Sequence, residues 1–480
     1  MTNGGCVYRF GPFELDAARA RLFRGAARVP LSDPQAAILL KLIGHVGEVV
    51  PKHALADAAW RYTAVADNSL DQAISRLRKT LGRDEDGTRY IETVPNRGYR
   101  FGAAIERARR CEPDAPLDAH LAPFRACVQA QDDLDTLDRD AIARARRAFE
   151  DVLRAAPDYA AAHVGLANAC AFAFESTRAD VAPDAAALAL AIDHASKGCE
   201  LAPGSAEAWS TLAFVLYLNG DTHDAAAAAC KAVDLEPLDW RHALRLSYVS
   251  WGEARLRAAR CVLKLCPGVA IAHWLMATVF IARQAFDAAL DVLRDGCAAQ
   301  DAQALAVKTT PCFPAVGLHL LRALALAATG DVEAAIDELT RELDSPHRGH
   351  VYARECLANA WYSLGALRLR QGRLEEACAA FNKTLTMVRG HAGAAAALGI
   401  DPSSAPRRSG SGVIDVAMAQ AIRLARAGRH RDAVNRCTDA LTQAPAGPAG
   451  WLLPVEPMLN PAARPDTWAP TLAILRTRAI

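Results

Sequence analysis

The chain has 480 residues, 52% of them hydrophobic and 23% charged, with a formal net charge of +1. That length exceeds what one core fills and predicts at least two folded units, while the composition excludes an intrinsically disordered chain and gives no whole-chain sign of nucleic acid. The charge is unevenly spread, however. Residues 1–105 hold 15 Lys+Arg against 11 Asp+Glu, and the remainder holds 40 against 43, so the positive surplus falls where a DNA-binding module would need it.

No apolar run approaches the roughly 18 residues that a membrane helix requires. The best candidate, Ala270 to Ala282, contains His273 and suits a buried helix. No basic stretch followed by an apolar core opens the sequence, so no signal peptide is expected. The 13 cysteines are scattered singly, and the closest pair, Cys261 and Cys266, lacks metal-ligand spacing. An odd, unclustered set favours reduced thiols and a cytoplasmic setting.

Short β-like pieces come first: Tyr8–Phe10, Phe13–Asp16, Arg21–Arg24 and Arg28–Leu31, separated by Gly11-Pro12, Ala17-Ala18 and Gly25. They predict a small antiparallel sheet. Ser32-Asp33-Pro34-Gln35 has the form of a capping box with Pro in the first turn, and opens a helix ending near Gly44. A second helix is expected from about Lys52 to Trp60, and a third from about Asn68 to Leu81, stopped by Gly82.

On that third helix Leu70, Ile74, Leu77 and Leu81 form one narrow stripe that must face a core. Opposite them stand Gln72, Ser75, Arg76 and Lys79, with Arg78 on the flank. These amide, hydroxyl, guanidinium and ammonium groups can hydrogen-bond base edges and neutralise phosphates. An ordinary solvated basic face is the rival reading of the helix taken by itself. After the helix, Tyr90–Val94 alternates like a strand, Pro95-Asn96-Arg97-Gly98 is a turn, and Tyr99-Arg100-Phe101 returns. A basic hairpin directly behind a basic helix is the layout of a wing beside a recognition helix.

The segments "YRFGPFELD", "VVPKHALADAAW", "NSLDQAISRLRKTLG" and "YIETVPNRGYRF" resemble the OmpR/PhoB-type winged-helix effector domain, the last being closest to the CadC and ToxR branch. The resemblance runs continuously over residues 7–105. It implies that the third helix enters the major groove of double-stranded DNA while the hairpin tip reaches the neighbouring minor groove or backbone. On that basis Gln72, Ser75 and Arg76 are expected to read bases, and Arg78, Lys79, Thr93 and Arg97 to contact phosphate or groove. Arg76 is the strongest candidate, because a guanidinium can hold guanine O6 and N7 together; its bland alternative is a surface pairing with Asp71 or Gln72. Trp60 and Tyr99 are expected in the core. Many members of the family place a phosphoacceptor receiver ahead of this domain, and its membrane-bound members place a transmembrane segment behind it. Neither is read in this sequence, so the expectation is control by a cytoplasmic signal without phosphorylation of an attached receiver.

Residues 106–120 read as a polar, Pro-containing linker. Behind them lies an Ala- and Leu-rich array, residues 121–447, with self-similarity near about 34 residues, the tetratricopeptide period. The cleanest copy, Ala206 to Pro237, has Trp209, Leu212, Ala213, Gly220, Ala225, Ala229, Ala232 and Pro237 at tetratricopeptide offsets. A second holds Trp361, Leu364, Gly365, Gly372, Ala377 and Phe381, and a third holds Ala417, Ala421, Gly428, Ala433, Cys437, Ala440 and Pro445. Weaker copies end at Pro157, Pro203, Pro267 and near Gly296 and Leu343, one of them with an insertion around Phe174–Pro183. About eight helical hairpins are expected, because one hairpin cannot bury its own apolar faces and stacking is obligatory. Residues 448–480 are expected to cap the stack.

The fold expected is therefore mainly α: an N-terminal α+β winged helix-turn-helix domain, residues 1–105, followed by an α-solenoid. The histidines occur singly on repeat helices, and no paired carboxylates, nucleophile elbow, phosphate loop, cofactor motif or metal cluster is visible. The reading is a one-component transcription regulator and not an enzyme. The solenoid would receive a protein or small-ligand partner or mediate self-association; RNA polymerase is a further candidate partner, and a homodimer on tandem half-sites is expected. Cytoplasmic repeats behind such a domain are similar to the HilA type of regulator. The rival is a tetratricopeptide scaffold whose winged helix no longer binds DNA. Ser210, Phe214 and Tyr217 are candidate groove residues.

Overall fold

The computed structural model describes the chain except residues 1–6, 18–20, 26, 60–66, 84–86, 88, 96, 104, 109–116, 306–312, 347 and 401–411. Trp60 lies outside the described residues. In chain order the N-terminal elements are β1 (Val7–Phe10), β2 (Phe13–Asp16), β3 (Arg21–Arg24), β4 (Ala27–Val29), α1 (Asp33–Ile43), β5 (Val49–Val50), α2 (Lys52–Ala59), α3 (Asp67–Leu81), β6 (Ile91–Val94), β7 (Gly98–Phe101) and β8 (Glu106–Ala108). One antiparallel sheet runs β4-β3-β2-β1-β8 and a second runs β5-β7-β6. At the start of α1 the Ser32 N–H donates to Gln35 Oε1 at 3.0 Å, the local bond that the Ser-x-x-Gln spacing makes available.

The two sheets and three helices share one core. Leu15 and Leu22 face each other across β2 and β3, and Ile38, Leu39 and Leu42 of α1 meet Leu70, Ile74, Leu77 and Leu81 of α3 in the same buried cluster. Phe10 stands edge-on to Phe101 at 5.2 Å, and Phe13 to Tyr90 at 5.8 Å, the arrangement that ring quadrupoles favour. The stretch expected as a linker is structured at both ends: β8 adds to β1 with Val7 opposite Ala108, and the next helix, α4 (Leu117–Asp135), begins inside it. A three-residue edge strand carries too little alternation to be seen in sequence; the open edge of β1 recruits it.

Among the described residues seventeen further helices follow: α5 (Arg139–Ala155), α6 (Ala160–Thr177), α7 (Ala185–Leu201), α8 (Ala206–Asn219), α9 (Thr222–Leu235), α10 (Trp240–Val249), α11 (Gly252–Leu265), α12 (Ala270–Ala282), α13 (Phe286–Ala304), α14 (Leu318–Thr329), α15 (Val332–Leu343), α16 (Ala353–Arg370), α17 (Leu374–Met387), α18 (Ala392–Leu398), α19 (Gly412–Arg426), α20 (His430–Gln443) and α21 (Pro465–Arg478). Antiparallel hairpins of the tetratricopeptide type dominate, and the chain divides into two compact units. One comprises residues 1–135, 141–171 and 188–242, the other 136–140, 172–187 and 243–480.

In the first unit Ser205 caps α8 through its Oγ, which accepts the Ala208 N–H at 3.2 Å. Gly220, at φ +99°, ends that helix, and Ala213, Ala225, Ala229 and Ala232 are buried along the hairpin. Phe124 of α4 packs on the winged-helix core, and Arg21 donates to the Leu201 carbonyl at 3.1 Å. In the second unit Gly365 of α16 admits the Phe381 ring of α17. A Cβ there would stand 2.8 Å from that ring, which is why a side chain is absent at the crossing. The insertion predicted around Phe174–Pro183 reaches the start of α16: Arg178 pairs with Glu355 at 2.8 Å, Arg354 with Asp180 at 2.6 Å, and the Tyr352 hydroxyl donates to Glu175 at 2.8 Å.

Candidate nucleic-acid interface

The apolar stripe of α3 is buried, and Gln72, Ser75, Arg76 and Lys79 are exposed on the opposite side. Arg76 and Lys79 have no hydrogen-bond or ion-pair partner among the described residues. The pairing of Arg76 with Asp71 is not formed. Asp71 instead accepts the Tyr99 hydroxyl at 2.6 Å and the Lys52 ammonium at 3.0 Å. The Tyr99 hydrogen bond, assisted by Lys52, holds the Asp71 carboxyl below its ordinary pKa. Burial and that same carboxylate push the Tyr99 phenol up to about 12. Tyr99 is buried, joining the core as expected.

Beside α3, β6 and β7 pair with Thr93 opposite Tyr99 and Val94 opposite Gly98. The turn between them closes through the Arg97 N–H to the Val94 carbonyl at 3.1 Å, leaving the Arg97 side chain exposed at the tip. Glu92 and Arg100 pair across the strands at 2.6 Å. Gly98 has φ +140°, and a Cβ on it would lie 2.1 Å from the Val50 carbonyl oxygen. Only glycine lets β7 pass so close to β5 with that backbone.

Arg78 and Thr93, both expected at phosphate or groove, are brought together with each other. Arg78 is half-buried; its Nε donates to the Ile91 carbonyl at 2.9 Å and its Nη2 to Thr93 Oγ1 at 2.7 Å. The guanidinium also lies 5.5 Å from the Tyr99 ring centre. Arg78 therefore ties the wing to α3 through these bonds. Flank residues of a helix meet whatever packs beside it, and the helical wheel does not show the neighbour. Lys52 of α2, which donates to Asp71 of α3 at 3.0 Å, completes the same brace and was also missed in sequence.

The candidate groove residues fare differently. Ser210 and Phe214 are buried, so neither presents a side chain to a partner. Interior packing, the ordinary fate of an aromatic on a tetratricopeptide helix, prevails at Phe214, and Ser210 follows it on the same face of α8. Tyr217 is half-buried.

Residues 26–101 match the family described as "Transcriptional regulatory protein, C terminal", and residues 358–387 match "Tetratricopeptide repeat". The chain is 34% identical over 127 residues to the transcriptional activator CadC of Escherichia coli (strain K12), a match covering 26% of this chain and 25% of that protein. It is 36% identical over 84 residues to the transcriptional regulator HilA of Salmonella typhimurium, covering 18% and 15% respectively. Among solved structures, the DNA-binding domain of E. coli CadC aligns at 31% identity over 22% of this chain and 97% of that one, with a TM-score of 0.20. The chain thus matches a quarter or less of the length of these curated relatives. Among the described residues no helix is long and apolar enough to cross a membrane. Residues 26–101 thus carry a domain of the OmpR/PhoB-type winged-helix kind found in transcriptional regulatory proteins, and a tetratricopeptide-repeat match follows it at residues 358–387.

Proposed function

We propose that the protein is a sequence-specific, one-component DNA-binding transcription regulator acting in the cytoplasm. The observation that carries this reading is the exposed, carboxylate-free quadrant of α3 formed by Gln72, Ser75, Arg76 and Lys79. A scaffold would need no such surface. Gln72, Ser75 and Arg76 read base edges in the major groove, while Lys79 and Arg97 neutralise phosphates. Thr93 and Arg78 set the angle between helix and wing. A single winged helix spans a short site, so two copies on tandem half-sites supply the remaining affinity. The repeats receive a protein or small-ligand signal and pass it to the promoter-bound domain or to RNA polymerase.

The test is a mobility-shift selection against genomic fragments over a range of salt. The parent is expected to select a motif, with affinity falling steeply as salt rises. Arg76→Ala is expected to lose about 1–3 kcal/mol of discrimination at one base pair. Lys79→Ala should weaken all sequences alike and lower the salt slope by about 1. A parent that selects no motif leaves the scaffold reading; an Arg76→Ala that discriminates as the parent does removes Arg76 from base readout.

A further inference from the structure

Three successive helices of the second unit bring Cys297 (α13), His319 (α14) and Glu338 (α15) together. All three side chains are buried, and one donor atom from each lies within 4.8 Å of the other two. His319 stands between two carboxylates, with Nδ1 2.6 Å from Glu338 Oε2 and Nε2 3.0 Å from Asp301 Oδ1. Arg322 donates to the other Glu338 oxygen, Oε1, at 3.0 Å. Arg341 lies 3.6 Å from the same atom.

This arrangement has the parts of a metal centre. A ligating imidazole characteristically gives its far N–H to a carboxylate, which fixes tautomer and ring orientation; Asp301 does that here. Arg322 fixes one oxygen of Glu338 and leaves the other facing His319 and Cys297. Thiolate, imidazole and carboxylate together suit a borderline-soft divalent ion. We propose that Cys297, His319 and Glu338 form a binding site for a thiophilic divalent cation of the zinc type, with Asp301 and Arg322 as positioning residues. Three protein donors leave a fourth position for water or for a donor from a bound partner.

Ligation takes the Cys297 thiolate, a neutral His319 imidazole and the Glu338 carboxylate; the protons that Sγ and Nδ1 give up leave to solvent as bonds form from the ion to Sγ, Nδ1 and Glu338 Oε2. The thiolate and the carboxylate together then offset the charge of the dication.

The test is titration of the full-length, chelator-stripped protein with Co²⁺, followed optically, with Zn²⁺ as displacing ion. One Co²⁺ per chain with a thiolate-to-cobalt charge-transfer band is expected, and Cys297→Ser abolishes the band. Asp301→Asn is expected to weaken binding about 10–100-fold. A carboxylate-only site gives no such band. The cluster of Glu236, Asp239 and His242 in the other unit holds no sulfur, so ion bound there gives no charge-transfer band. A parent without the band, or a folded Cys297→Ser that keeps it, overturns the proposal. If Cys297→Ser does not fold, Asp301→Asn decides: Co²⁺ affinity unchanged from the parent overturns the proposal.

Discussion

Replacing Arg78 by Ala separates a brace from a phosphate contact. Its Nε and Nη2 make two hydrogen bonds to the wing, at 2.9 and 2.7 Å, and its guanidinium lies over Tyr99. A hydrogen bond from a charged group contributes about 1.5–3 kcal/mol when well protected, and solvent at this half-buried position reduces each to about 1 kcal/mol. A cation–π contact at an exposed site adds about 0.5–1 kcal/mol. Together Arg78→Ala should weaken the attachment of the wing by about 2–3 kcal/mol, which is about 30- to 150-fold in an opening equilibrium. Hydrogen exchange followed by mass spectrometry reads this directly as faster exchange over residues 91–101. Arg78→Lys should recover little, because an ammonium cannot donate to both acceptors in the fork geometry. DNA affinity should fall while the salt slope stays near that of the parent. Unchanged exchange in the wing, together with a salt slope lower by about 1, would make Arg78 a phosphate contact and refute the brace.

Other substitutions test neighbouring claims. Gly98→Ala places a methyl carbon against the Val50 carbonyl at a positive φ and should destabilise the winged helix by about 2 kcal/mol or more, seen as loss of protection in β5 and β7. Arg255, buried on α11, donates to the carbonyls of Ser247, Tyr248 and Ser250 and to Thr278 Oγ1. Arg255→Ala strands these acceptors, at about 1–3 kcal/mol for each that water cannot reach, and a matching Arg255→Lys should not restore the melting temperature. Burial raises the Glu456 carboxyl from 4.5 to about 7, so the folded state holds a proton that the unfolded chain releases earlier. Stability is then greatest below pH 4.5 and falls as pH rises towards 7, by about 3 kcal/mol in all. Glu456→Gln should flatten that fall in melting temperatures measured between pH 5 and 8; an unchanged slope would show that Glu456 does not carry it.

Much of the architecture was legible because local and global signals agree. The stripe Leu70, Ile74, Leu77, Leu81 has one period and one burial outcome, and the Gly220 turn with its buried alanines follows from spacing within one hairpin. What sequence did not show depends on distance. β8 exists through an edge that lies about a hundred residues earlier in the chain, on β1. Arg78 and Thr93, 15 residues apart, meet through the packing of a hairpin on a helix. The histidines looked solitary along the chain, yet His163 Nδ1 lies 2.8 Å from His194 Nδ1, and His319 contacts carboxylates of two other helices. In a solenoid, residues on adjacent helices converge at intervals set by loop lengths, so no fixed spacing announces them.

Pairing bears on how a domain with a surplus of only four positive charges presents a face whose only charges are positive. Three acidic side chains of the domain are paired with bases: Glu14 with Arg9 at 3.0 Å, Asp71 with Lys52 at 3.0 Å, and Glu92 with Arg100 at 2.6 Å. Each pair nearly cancels at a distance. Arg76, Lys79 and Arg97 have no such partner among the described residues, so unpaired positive charge stands on α3 and at the tip of the wing. At physiological salt the Debye length is about 8 Å, and a phosphate backbone responds to the charges within that distance of it. A value of +1 is therefore compatible with a locally cationic surface on α3 and the wing, provided that Asp71 stays bound to Tyr99 and Lys52.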